Sequence, residues 1–204
     1  MVADHAAELF EGGIVSDVVA GLPDPSTLVV SNSMPVRDLD RFGGSDTKSV
    51  TAIGNRGASG IDGIVSTALG AAAGTTDDVT LVIGDLAYYH DMNGLAAIRR
   101  AEVEATIVLL NNDGGGIFHM LPIEAFEPPF TDQFKTPHGL DFEPTGELYG
   151  LGYRQVDDRE AFREAYAEAI AAAGSHVIEV RTDAAASHDV RDALQAATVD
   201  RLVD

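Results

Sequence analysis

The chain has 204 residues, of which 33 are acidic and 13 basic, for a formal net charge of −20. That excess excludes a nucleic-acid binder, which needs lysine and arginine to displace counterions from a phosphate backbone. A hydrophobic content of 45% excludes a disordered polyanion, and the absence of cysteine excludes disulfides, thiolate metal sites and cysteine nucleophiles. The length suits a single domain over residues 1–204. The opening Met1-Val2-Ala3-Asp4-His5 lacks the basic start and apolar stretch of a signal peptide. No apolar run approaches the roughly 18 residues of a membrane span, so a soluble, cytoplasmic protein is expected. The acids are 21 Asp and 12 Glu, while Lys48 and Lys135 are the only lysines. Such a charge opposes compaction unless salt screens it, which points to a high-salt cytosol.

In chain order, Thr27 to Ser31 reads as a short, β-branched, nearly continuously apolar strand, and Ser49 to Ile53 is a further clear strand. Ser59 and Asp62 form a capping box ahead of an apolar helical face, Ile61, Ile64, Val65, Ala68, Leu69 and Ala72, that stops at Gly74. Val79 to Ile83 is a strand, Met92 to Arg100 is helix-like, and Ala105 to Leu110 is another buried strand. Leu121 to Thr145 breaks the rhythm with five of the eight prolines and Phe126, Phe130, Phe134 and Phe142. A connection that long is expected to be a lid or an interface segment. Tyr153 to Val156 is a weaker strand, and Asp157 with Glu160 caps a helix that runs to Gly174. His176 to Val180 is a final strand before a helix opened by Ser187. The alternation predicts an α/β fold, a three-layer α/β/α domain with a mostly parallel sheet.

The chemistry concentrates at two strand ends. One strand ends in Gly84-Asp85 and its successor in Asn111-Asn112-Asp113-Gly114-Gly115-Gly116. Both clusters fall at carboxyl ends of buried strands, where open α/β sheets bind ligands. Asp85 offers a carboxylate oxygen, Asn112 an amide oxygen and Gly114 a backbone carbonyl. Hard oxygens of this kind suit Mg²⁺ or Mn²⁺, with phosphate and water completing the octahedron. The glycine run lets backbone N–H groups approach a phosphate. His90, His119 and His138 show no metal-ligand spacing and read as ordinary polar positions, with His119 beside Phe118 a candidate for a pocket wall. His5, His176 and His188 carry no functional signal.

The Gly-Asp and Asn-Asn pairs resemble the thiamine-diphosphate motif, in which the second pair follows the first by about 25 to 30 residues across one βαβ unit. Four blocks sharpen the resemblance: Ser31-Asn32-Ser33-Met34-Pro35-Val36-Arg37-Asp38, Gly54-Asn55-Arg56-Gly57-Ala58-Ser59-Gly60-Ile61-Asp62-Gly63, Gly84-Asp85-Leu86-Ala87-Tyr88-Tyr89-His90-Asp91-Met92-Asn93-Gly94-Leu95, and the run from Asn111 to Pro122. In this order they are similar to the segments of the MenD family, the 2-succinyl-5-enolpyruvyl-6-hydroxy-3-cyclohexene-1-carboxylate synthases of menaquinone biosynthesis.

The resemblance implies roles residue by residue. Asp85, Asn112 and the Gly114 carbonyl match the metal ligands, and Gly84, Leu86, Gly115 and Gly116 lie along the cofactor's diphosphate. Ile61 matches the apolar residue under the bent cofactor. Ser33, Arg37 and Arg56 match positions that handle substrate carboxylates, for which bidentate arginine is well suited. Ile117, Phe118 and Leu121 match the apolar wall beside the reacting centre. Such enzymes decarboxylate 2-oxoglutarate and add its succinyl unit to isochorismate, and both substrates are dicarboxylic acids. The resemblance also implies a second, pyrimidine-binding unit that carries an activating glutamate. None of the glutamates in this sequence matches that residue, so the missing unit is expected on a separate chain or an absent N-terminal half, in a homo- or hetero-oligomer. Two other readings remain open: another 2-oxoacid decarboxylase or acetolactate-synthase-like enzyme on the same cofactor, and a non-catalytic assembly domain with a vestigial site.

Overall fold

A computed structural model describes residues 9–44 and 47–203; the opening pentapeptide and His5 lie outside the described residues. Among the described residues, six strands form one sheet: β1 (Ser26–Val30), β2 (Val50–Ile53), β3 (Asp78–Gly84), β4 (Thr106–Asn111), β5 (Gly152–Val156) and β6 (His176–Arg181). Their order is β2-β1-β3-β4-β6-β5 and every pairing is parallel. All five residues of β1 and all six of β4 are buried, as strands covered on both faces must be. The expected α/β class and all six strands, including the weaker one at Tyr153 to Val156, are present.

Among the described residues, eight α-helices accompany the sheet: α1 (Glu11–Gly21), α2 (Met34–Phe42), α3 (Ile64–Gly74), α4 (Asp85–Asp91), α5 (Ala97–Ala101), α6 (Pro144–Tyr149), α7 (Arg159–Ala171) and α8 (Ala184–Val203). One core layer packs Ile14, Val18 and Phe162 of α1 and α7 against Val82, Val108 and Ile178. The other packs Ile64, Val65 and Leu69 of α3, with Tyr88 and Leu95, against Leu81, Ile83 and Leu109. Burying a large aliphatic side chain contributes about 1.5–3 kcal/mol, so these two layers hold the sheet rigid beneath its carboxyl ends.

Several local expectations are corrected. The Ser59/Asp62 capping box does not form: α3 begins only at Ile64, because Gly63 takes a left-handed φ of 70°, and the first turn is capped from another element, Asp91 Oδ2 accepting from Ser66 N at 2.9 Å. Ile61 therefore stands in the loop before the helix, while Asn32 Nδ2 donates to the Gly60 carbonyl at 2.5 Å and ties that loop to the end of β1. Asp158, not Asp157, caps α7, its Oδ1 accepting from Ala161 N at 2.8 Å, and that helix ends at Ala171. Asp183 rather than Ser187 opens α8, accepting from Ala186 N at 2.8 Å. The expected helix from Met92 to Arg100 breaks into a 3₁₀ turn, Met92–Ala96, followed by the short α5.

Leu121 to Thr145 is built of short turns rather than open loop. Phe130 and Phe142 are buried, Phe142 packs edge-on against Tyr88 with centroids 5.4 Å apart, and Tyr88 Oη shares a 2.8 Å hydrogen bond with Thr145 Oγ1.

Candidate functional site

From β1 the chain passes outward to β2 and then back across to β3, so the sheet's topological switch point lies between β1 and β3. Ligands of open α/β sheets bind in the crevice at that point. A cavity of about 440 Å³ opens there.

Gly84 pairs with Leu110 across β3 and β4, so Asp85 and Asn112 leave neighbouring strands at the same end. Asp85 is buried at 3% exposure. Its Oδ1 accepts from Leu86 N at 2.7 Å; its Oδ2 accepts from Gly114 N at 2.9 Å and Asn112 N at 3.2 Å, with His138 Nε2 also 3.2 Å away. Burial pushes this carboxyl above the usual carboxylate range, opposed by the Gly114 and Leu86 amides and by His138. Asn112 donates through Nδ2 to Glu11 Oε1 at 2.7 Å, whereas its Oδ1 is buried with no hydrogen-bond partner.

An unsatisfied buried acceptor costs about 1–3 kcal/mol, and a cation would relieve it. A carboxylate, an orphaned amide oxygen and a nearby backbone carbonyl are a donor set suited to Mg²⁺. Among the described residues no three His, Asp or Glu side chains cluster to hold a metal by themselves. The donors therefore fit an ion that keeps phosphate and water in its shell.

The other candidates gather around the same space. Ser33, Arg37, Arg56 and Ile61 line the same cavity as Asp85 and Asn112, and Gly84, Leu86, Gly114, Gly115, Gly116, Ile117 and Phe118 also line it. Ser33 takes φ 71° and ψ −129°, a conformation rare for a residue with a side chain and more often met at functional sites. Its carbonyl accepts from Arg37 Nη1 at 2.6 Å, and Arg56 Nη1 donates to Asn32 Oδ1 at 2.8 Å. Each bond anchors a guanidinium and leaves further N–H donors for a ligand.

Leu121 does not join this wall. The 3₁₀ turn Gly116–Met120 carries Ile117 and Phe118 to the cavity, after which the chain extends and leaves Leu121 45% exposed. His119 likewise faces away, against Phe130 and Glu124.

The glycine run is held from above. Gly115 N donates to Lys135 O at 2.7 Å and Gly116 N to Gly114 O at 2.9 Å, while Lys135 Nζ donates to the carbonyls of Asn112 and Asp113 at 2.5 and 2.8 Å. Gly114 has φ 128°, and a Cβ there would stand 2.1 Å from the Lys135 carbonyl oxygen. Gly114→Ala is therefore expected to lower stability by at least about 2 kcal/mol and to dislodge residues 131–139, read as a lower unfolding midpoint with faster amide exchange at Gly115.

Sequence reasoning missed Glu11, Asn32, Lys135 and His138. His138, read as an ordinary polar position, reaches Asp85 from 53 residues away, and Glu11 meets Asn112 across 101. Lys135 carried one usable signal, as one of only two lysines.

A parallel α/β unit with a buried acid and an orphaned amide oxygen at adjacent strand ends has a donor set suited to a divalent cation. The Gly114, Gly115 and Gly116 amides, expected to approach a phosphate, donate instead to Asp85 and to the Lys135 and Gly114 carbonyls. The chain belongs to the thiamine pyrophosphate enzymes: the family model for the C-terminal TPP binding domain matches residues 46–180. Thiamine diphosphate, the same compound, is thereby the cofactor. Among curated proteins, the chain is 63% identical over 194 residues to the 2-succinyl-5-enolpyruvyl-6-hydroxy-3-cyclohexene-1-carboxylate synthase of Haloarcula marismortui, covering 95% of this chain and 33% of that protein. It is 61% identical over 198 residues to the protein of the same description from Haloquadratum walsbyi, covering 95% and 32%. The chain thus spans about a third of the length of these relatives. Among solved structures, a Rhodococcus jostii thiamine diphosphate-dependent 4-hydroxybenzoylformate decarboxylase superposes with a TM-score of 0.70 at 25% identity, covering 87% of this chain and 33% of that one. Among the described residues no helix is long and apolar enough to cross a membrane.

Proposed function

We propose that this chain is the diphosphate- and metal-binding part of a cytoplasmic 2-succinyl-5-enolpyruvyl-6-hydroxy-3-cyclohexene-1-carboxylate synthase of menaquinone biosynthesis. It works with a pyrimidine-binding unit, as a separate chain or a preceding segment, in an oligomer. The observation that carries this reading is the shared cavity. Asp85 and Asn112, whose Oδ1 is without a partner, line it together with Arg37 and Arg56. The names of the close relatives agree with it.

In this reading Asp85, Asn112 Oδ1 and the Gly114 carbonyl hold Mg²⁺ or Mn²⁺. Thiamine diphosphate, when bound, supplies the carbanion chemistry. The chain's own residues select and orient the substrates. Arg37 and Arg56 receive carboxylates of 2-oxoglutarate and isochorismate, which a protein of charge −20 must attract through local positive groups. The hydroxyl of Ser33 completes that polar side. Ile61 supports the cofactor from below, while Ile117 and Phe118 keep water from the reacting carbon and so favour conversion of a charged carboxylate into neutral CO₂.

The test supplies the complete protein at high salt with thiamine diphosphate, Mg²⁺, 2-oxoglutarate and isochorismate. CO₂ release with formation of the succinylated adduct is expected. Absence of both, or preferential turnover of pyruvate, contradicts the assignment. Arg56→Lys is expected to raise KM for one of the two dicarboxylic substrates at least about tenfold, because ammonium loses the bidentate contact, with little change in unfolding midpoint.

A further inference from the structure

Glu11 opens α1 directly beneath the cavity, only 1% exposed, and three donors converge on its carboxylate. Oε1 accepts from Asn112 Nδ2 at 2.7 Å and from Thr182 Oγ1 at 3.2 Å; Oε2 accepts from Arg191 Nη2 at 2.5 Å. Arg191 itself bridges to Asp38 on α2 with bonds of 2.8 and 2.6 Å, and all three charged side chains are buried. Such a cluster is costly to desolvate, and a hydrophobic replacement would often hold the helices as well. Packing alone therefore does not explain why a carboxylate stands here.

We infer that Glu11 is a positioning residue for the metal: it holds the Asn112 amide nitrogen inward, so that Asn112 Oδ1 faces the cavity as a ligand. This rests on the reading of Asp85 and Asn112 as metal ligands. The physical reason lies in the donor inventory. A carboxylate only accepts, so the amide edge meeting Glu11 must be the NH₂ edge, and the oxygen must point the other way. That oxygen is the buried acceptor left without a partner. Arg191 and Thr182 fix the carboxylate in turn, so the orientation is set by three elements distant in sequence. Partners of this kind, one bond removed from the ion, are typically worth 10- to 100-fold in metal affinity, as a rough range.

Glutamine at position 11 would invert the pattern. Its single acceptor oxygen is claimed by the permanently charged Arg191, which leaves NH₂ facing Asn112. Asn112 then turns its own oxygen to that NH₂ and presents nitrogen to the metal. Aspartate at position 112 would repair this, because one carboxylate oxygen accepts from Gln and the other faces the ion.

The experiment titrates Mg²⁺ into the complete protein at saturating thiamine diphosphate and follows cofactor binding by calorimetry. The variants are Glu11→Gln, Asn112→Asp, the double variant and Asp85→Asn, and the unfolding midpoint of each is recorded. Glu11→Gln is expected to lower Mg²⁺ affinity at least about tenfold, and the double variant to return within a few-fold of the parent. A purely structural role for Glu11 would not be rescued by Asn112→Asp. If Glu11→Gln binds Mg²⁺ as the parent does, or the double variant is no tighter than Glu11→Gln, the inference falls. Should Glu11→Gln not fold, the double variant decides alone, parental affinity supporting the inference and tenfold loss refuting it. Asp85→Asn separates the two layers: loss of Mg²⁺ binding there keeps the metal assignment whatever Glu11 does, whereas parental binding removes that assignment itself.

Discussion

Asp85→Ala is expected to abolish Mg²⁺-dependent binding of thiamine diphosphate, lowering affinity by more than about 100-fold, the upper range for residues one bond further out. A charge directly on the ion carries most of the Coulomb attraction in a site this enclosed. Alanine should also cost stability in the absence of cofactor. The carboxylate gathers the Leu86, Asn112 and Gly114 amides and the His138 ring, and each buried donor left unsatisfied costs about 1–3 kcal/mol. Asp85→Asn keeps one acceptor oxygen and the side-chain volume, so it should lose the metal while unfolding closer to the parent. Calorimetric cofactor titrations with and without Mg²⁺, beside denaturant unfolding of both variants, separate the two effects.

Arg191→Met is expected to give the largest loss of stability among single substitutions outside the cavity, about 3–5 kcal/mol at neutral pH in denaturant unfolding at fixed high salt. It leaves the buried carboxylates of Glu11 and Asp38 without their shared cation. The pH dependence has a definite sign. Burial already raises the Asp38 carboxyl, while the hydrogen bond and charge of Arg191 hold it down. Removing Arg191 lifts it further. An acid whose folded pKa lies above its unfolded value contributes stability below the unfolded value and loses it as pH rises through the folded one. The gap between variant and parent should therefore be widest near neutrality and narrow as pH falls. Adding Asp38→Asn to Arg191→Met should recover part of the loss at neutral pH, because one of the two stranded charges is gone.

Most strands were legible because they are short β-branched runs bounded by turn residues, the parallel sheet following from the nearly continuous apolar character of β1, β3 and β4; β5, with Arg154 and Gln155 at an exposed edge, gave the weaker signal. The cavity was legible for a related reason: its acid and amide follow directly on the ends of β3 and β4, so the strand register alone brings Asp85 and Asn112 together. Helix starts were less so. The left-handed turn at Gly63 delays α3 past an apparent capping box, and adjacent acids compete for the cap at Asp157 and Asp158. Glu11, Lys135 and His138 were hidden because these site contacts span 22 to 180 residues and no local periodicity encodes such a contact. Leu121 stands outside the cavity because the 3₁₀ turn Gly116–Met120 ends before it and the chain extends there, which block similarity does not reveal.

The claim on which all of this depends is that one divalent ion sits between Asp85 and Asn112. Anomalous diffraction from crystals of the complete protein grown with Mn²⁺ and thiamine diphosphate addresses it directly. The expected map has a single manganese peak in the cavity at coordination distance from an Asp85 oxygen, Asn112 Oδ1 and the Gly114 carbonyl. A peak elsewhere, or an Asn112 oxygen turned toward Glu11 with the cofactor bound, would contradict it.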